Sequence, residues 1–203
     1  AEPVQLIKTT GQEEAEAAYT RGNAIMLPAN LLALPQVKLS RLLAHEFFHV
    51  FSRGHPAVRG KLYAAIGFQP CGEVEMPAVL RARAITNPDA PKNEHCIQVG
   101  LAGEQVWVLP ILFANPPRYD TARGGTFLNY LAFSLLVVDK TGASGAGRPV
   151  MDAGGAPKLV DVRQVGGYFE QIGRNTDYII HPEEILAENV VQLVAPEGNV
   201  PSP

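Results

Sequence analysis

The chain has 203 residues, 46% hydrophobic and 18% charged, with a formal net charge of −3. That apolar content lets residues 1–203 bury a core as a single domain and argues against general disorder. With no basic stripe or Lys/Arg run the chain lacks the electrostatic footprint of a nucleic-acid binder, and its longest apolar runs, such as LAFSLLVV at 131–138, fall short of the ~18 residues of a membrane span.

In chain order, the start AEPVQ lacks an initiator Met. A mature N-terminus left by signal-peptide cleavage begins this way, as does a trimmed chain, and the expectation is an exported protein, periplasmic or secreted. The first roughly 20 residues are polar and rich in Ala and Glu, which predicts a helix or a loose arm. NAIMLPANL at 23–31 is apolar up to Pro28 and suits an edge strand. Residues 38–52 carry apolar side chains at Leu39, Leu42, Leu43, Phe47, Val50 and Phe51, the spacing of an amphipathic helix. Gly54 and Pro56 end it, and a second helix is expected over 56–66, with Pro at its first position and Gly67 as its stop.

The middle of the chain changes character. HCIQVGL (95–101), EQVWVLPILFA (104–114) and FLNYLAFSLLVVD (127–139) read as strands, with Trp107 in the core. NPDAP at 87–91 is turn-rich, and its lone Asp89 does not make a calcium loop. The Gly-rich segments 141–149 and 152–157 are expected to be mobile loops. HPEEILAENVVQLV at 181–194 predicts a last helix, with Pro182 and acidic residues in its first turn. Helices around a strand-rich middle make the fold class α+β. Cys71 and Cys96 form no CxxC pair; they would be one disulfide in an exported protein and two buried thiols otherwise.

Chemistry enters at HEFFH, 45–49. On a helix His45 and His49 lie one turn apart on one face, so both imidazoles can reach one ion. Zinc suits two neutral imidazoles plus a third ligand, with a position left for water. Glu46 follows the first His and can act as general base, taking the proton of a water activated by zinc and handing it to the leaving amine. The competing reading is a chance match among five histidines. The strongly amphipathic surroundings, with Leu42, Leu43, Phe47 and Phe48 available for packing, argue against chance.

The third ligand has several candidates. His55 lies six residues beyond His49, which resembles the metzincin pattern HExxHxxGxxH. Ser52 stands where that pattern has its turning Gly, and the Gly comes later, at Gly54, so the chain would carry His55 away from the ion. Glu73 and Glu75 run into Pro77 and have no acidic partner downstream. EILAE at 184–188 is similar to the second motif, ExxAE, of gluzincin metallopeptidases. Acids at a helix N-terminus are also favoured by the helix dipole without any metal, but that gives no reason for the apolar residues between Glu184 and Glu188.

HExxH plus ExxAE resembles the thermolysin-like zincin superfamily, nearest to its lethal-factor-like and Pro-Pro endopeptidase branch. The resemblance implies a zincin-like domain with an active-site helix and a substrate-binding edge strand, and the long separation of the two motifs implies a strand-rich insertion over about 76–167. It implies that His45, His49 and Glu184 bind Zn2+, and that Glu188 orients a ligand His through its free ring nitrogen. It further implies an oxyanion donor shortly before the third ligand, a role for Tyr178 with His181 as the alternative. The function so implied is a zinc-dependent endopeptidase acting on a peptide or protein substrate laid along the edge strand. The alternatives are a metzincin-like protease using His55 and a noncatalytic zinc-binding or interaction domain, which would not need Glu46.

Overall fold

The computed structural model describes residues 3–118, 120, 122–125, 127–141, 146–196, 198 and 200–202; residues 142–145 of the Gly-rich segment 141–149 and parts of the tail lie outside the described residues. The fold is mixed α+β. The N-terminal part is a small sheet and not a helix. Strands β1 (Gln5–Thr9), β2 (Tyr19–Arg21) and β3 (Ala24–Pro28) pair in the order β1-β3-β2. The Ala/Glu stretch makes only one left-handed turn at Glu14–Glu16, with φ of +47°, +55° and +66°. The expectation of an edge strand at 23–31 is corrected here. β3 is central, because the polar, exposed β1 pairs parallel along its whole length (Gln5 opposite Ala24) while β2 pairs antiparallel on the other side.

Helix α1 (Gln36–Gly54) follows, then α2 (Pro56–Ala65) with Pro at its start. Gly67, at φ +84°, makes the left-handed turn that leads into β4 (Phe68–Pro70). After the one-turn α3 (Ala78–Arg81) come the long strands β5 (His95–Leu101), β6 (Glu104–Ala114) and β7 (Leu131–Asp139). The short β8 (Arg148–Pro149) and β9 (Leu159–Val160), helix α4 (Tyr168–Ile172) and helix α5 (Pro182–Val194) complete the chain. The second sheet runs β4-β5-β6-β7-β8, with β9 also on β7, all antiparallel.

Its strands alternate between two buried faces, as the pleat requires. On one face Phe68, Ile97, Val108 and Leu135 meet Phe48 of α1, Tyr63 of α2 and Ile185 and Ala187 of α5. On the other, Leu109, Ile111, Leu136 and Val138 pack with Cys71, Val74 and Leu80. Segment 76–167 therefore supplies the platform on which the helices of the two motifs rest. Each fully buried aliphatic or aromatic side chain contributes about 1.5–3 kcal/mol. Cys71 and Cys96 are both buried and free. Among the described residues no helix is long and apolar enough to cross a membrane.

Candidate metal centre

α1 and α5 pack against each other, which sets HEFFH against the first turns of α5. The helical repeat places the His45 and His49 rings side by side, centroids 4.7 Å apart and nearly perpendicular. Across from them Glu184 Oε2 lies 3.1 Å from His45 Nε2 and 3.6 Å from His49 Nε2. Candidate ligand atoms of His45, His49 and Glu184 all fall within 4.8 Å of one another. Ligands about 2.0–2.1 Å from a tetrahedral zinc ion are separated by roughly 3.3 Å, so the spacing fits such an ion.

The outer nitrogens are tied back. His45 Nδ1 is 3.0 Å from Glu188 Oε1, and His49 Nδ1 is 3.2 Å from Glu183 Oε1. Each ring thus turns Nδ1 to a carboxylate and Nε2 toward Glu184, the orientation a metal-binding imidazole needs. Glu183 also accepts hydrogen bonds from the Ser52 hydroxyl and the Tyr63 phenol. Among the described residues three buried side-chain atoms have no hydrogen-bond partner, and two of them, His49 Nε2 and Glu46 Oε2, belong to this centre. An orphaned imidazole nitrogen and an orphaned carboxylate oxygen inside a protein are costly unless a cation or a proton lies between them and their neighbours. The donor set of two imidazoles and a carboxylate therefore fits a divalent ion.

The electrostatics describe the same demand for positive charge. Burial opposes ionisation of His45, but bonds to Glu184 and Glu188 outweigh it and lift its pKa to about 9. Burial likewise opposes the charge on His49, while Glu183 and Glu184 lift it to about 10. Glu184, despite its burial, is held far below the usual carboxylate range by the two histidines. Burial and, next, the Asp89 carboxylate raise Glu46 to about 7. With pKa values raised in this way both imidazoles hold protons near neutral pH, and their positive charge offsets the surrounding carboxylates.

A cleft of about 470 Å³ opens onto His45, Glu46, Glu184 and Glu188. Tyr178 lies on its wall, 43% exposed, with its ring stacked over His45 at 6.4 Å between centroids. Burial and the Glu184 charge raise its pKa, so the phenol keeps its proton. His181 is elsewhere. It is the N-cap of α5, its Nδ1 accepting the Glu183 backbone N–H at 3.1 Å, and it does not line this cleft. His55 caps the end of α1, exposed, with Nδ1 donating to the Phe51 carbonyl at 2.8 Å, and it belongs to no group of metal-ligand type among the described residues. Glu73 and Glu75 are exposed, Glu75 paired with Arg81 and Glu73 with Lys92.

Three residues of the centre carry no legible signal in the sequence. Glu183 reads there as a helix-dipole acid, yet it is buried and holds His49. Asn87 donates to Glu184 Oε1 at 2.5 Å. Asp89, with Glu46 and His49, forms a second overlapping group of metal-ligand type. The only hint of the last two is the density of polar turn residues at 87–91. The chain matches no protein-family model, no curated protein and no solved structure.

Proposed function

We propose that the chain is a zinc-dependent endopeptidase of gluzincin type, nearest to the lethal-factor-like branch. The observation that carries the reading is the convergence of His45, His49 and Glu184 on one point, each imidazole backed by its own carboxylate, with the unpartnered Glu46 Oε2 beside them. In this reading His45, His49 and Glu184 would hold the ion. Zinc, when bound, supplies a Lewis acid that polarises the scissile carbonyl and makes water more acidic.

The chain's own groups supply the rest. The Glu46 carboxylate takes the proton of the attacking water and returns it to the amine as the C–N bond breaks. A carboxylate raised to about 7 is suited to both halves of that transfer near neutral pH. Glu188 and Glu183 keep the two imidazoles aimed. Tyr178, protonated on the cleft wall, donates to the oxygen on which negative charge grows. The metzincin alternative has little support, since His55 points its Nδ1 at its own helix.

A peptide-library cleavage profile tests the reading. Cleavage should appear with zinc, vanish with a chelator, and be lost in Glu46→Gln while zinc stays bound. Zinc without any cleavage by the wild type would leave only a binding role, and full cleavage by Glu46→Gln would remove Glu46 as base.

A further inference from the structure

The free edge beside the cleft belongs to β2. Thr20 pairs with Ile25 of β3 on its inner side. Its N–H points outward and donates to Asp89 Oδ1 at 2.7 Å, and its hydroxyl donates to the same oxygen at 2.5 Å. An outward N–H on an edge strand is the group an extended peptide engages when it adds itself to a sheet. Here a side chain from segment 86–91 has taken it.

That segment behaves as a strap hooked at two points. Asn87 Nδ2 donates to Glu184 Oε1 at 2.5 Å, and the Asp89 N–H donates to Asn87 Oδ1 at 2.9 Å, which joins the two hooks in one tight turn. Arg53 clasps strap and strand together, donating to the Asp89 carbonyl at 3.2 Å and to the Thr20 hydroxyl at 2.7 Å. Two hollows flank the contact. The cleft of about 470 Å³ includes Ala17, Ala18 and Asp89, and a second of about 450 Å³ includes Thr20, Arg21, Thr86 and Pro88. The Thr20–Asp89 contact separates them along the line of β2.

We propose that Asp89 closes the free edge of β2 to an extended peptide by occupying the Thr20 N–H. Release of the strap joins the two hollows into one groove that runs past Glu46 and frees Glu184 from Asn87. The ligand class rests on the peptidase reading; the edge and its occupant do not.

Trialanine hydroxamate and trialanine amide, titrated into zinc-supplemented wild type, Asp89→Ala and Asp89→Asn, test the proposal. Asp89→Ala should bind both probes about tenfold more tightly, the effect of removing one charged hydrogen-bond competitor. Asp89→Asn should move less, because its amide oxygen still accepts the Thr20 N–H. Zinc content of the same samples judges the metal reading separately; if no sample holds zinc, the plain amide, which needs no metal, decides the edge alone. Unchanged or weaker binding of both probes by Asp89→Ala overturns the proposal. Thr20→Val, which deletes one of the two bonds to Asp89 and keeps the volume, should shift affinity in the same direction and serves if Asp89→Ala does not fold.

Discussion

Replacing Glu183 by Gln should weaken zinc binding without removing a single ligand. Glu183 is 2% exposed, and its carboxylate receives His49 Nδ1 at 3.2 Å, the Ser52 hydroxyl and the Tyr63 phenol. Gln keeps the volume but turns one acceptor oxygen into an N–H2 donor, so one of the three donors faces another donor. His49 then loses a charged partner that holds its tautomer. Loss of such a partner costs roughly 10–100-fold in metal affinity, or about 1.4–2.7 kcal/mol. A hydrogen bond to a charged group is worth about 1.5–3 kcal/mol against about 1 for a neutral one, so the metal-free fold should lose on the order of 1–3 kcal/mol as well. Competition of zinc against a chromophoric chelator gives the affinity, and thermal unfolding of the stripped protein gives the stability. Ser52→Ala, which removes one bond to Glu183 and leaves its charge, should show a smaller change in both. A folded Glu183→Gln protein whose zinc affinity stays within about twofold of wild type would refute the reasoning and reduce Glu183 to a buried structural acid.

Zinc binding near about pH 7.5 should expel roughly two protons, because His45 and His49 are raised from 6.5 to about 9 and about 10; calorimetry in buffers of different ionisation enthalpy counts them, and a value near zero would contradict the shared role of proton and metal. By the same linkage the raised histidines stabilise the metal-free fold fully below about pH 6.5 and lose that contribution as pH rises through about 9 and 10. The lowered Glu184 acts in the opposite direction, its contribution present above about pH 4.5 and lost as pH falls. Melting temperatures of stripped protein should therefore decline on the alkaline side, and zinc should flatten that decline. Tyr178→Phe should lower kcat on the order of 100-fold with KM and zinc affinity unchanged, measured on any peptide the library yields; a pure KM effect would make Tyr178 a binding residue. Phe68→Ala, at a fully buried position where α2 meets the sheet, should cost about 3–5 kcal/mol, a fall in Tm on the order of 10 °C, and a shift of a degree or two would mean the site collapses around the gap.

Periodicity made the long elements legible. The apolar stripe of 38–52 and the run 181–194 correspond to α1 and α5, and strands β5 and β6 span the same residues as their apolar segments. The N-terminal sheet was hidden because β1 is exposed along nearly its whole length and so shows no alternation. Without β1 the apolar β3 reads as an edge. Positions 45, 46, 49, 184 and 188 are marked by motif spacing along two helices. Glu183 and Asp89 are placed by tertiary packing, which no local pattern records. Ser52 shows the difference well: the sequence marks it as the residue that spoils a metzincin turn, while the fold uses its hydroxyl to hold Glu183.

Zinc stoichiometry of the purified chain and its ligand variants tests the central claim most directly. The account predicts one zinc per chain in the wild type and in His55→Ala, and none retained after dialysis in Glu184→Ala. A wild type that takes up no zinc, or a site that survives Glu184→Ala and is lost in His55→Ala, would contradict it.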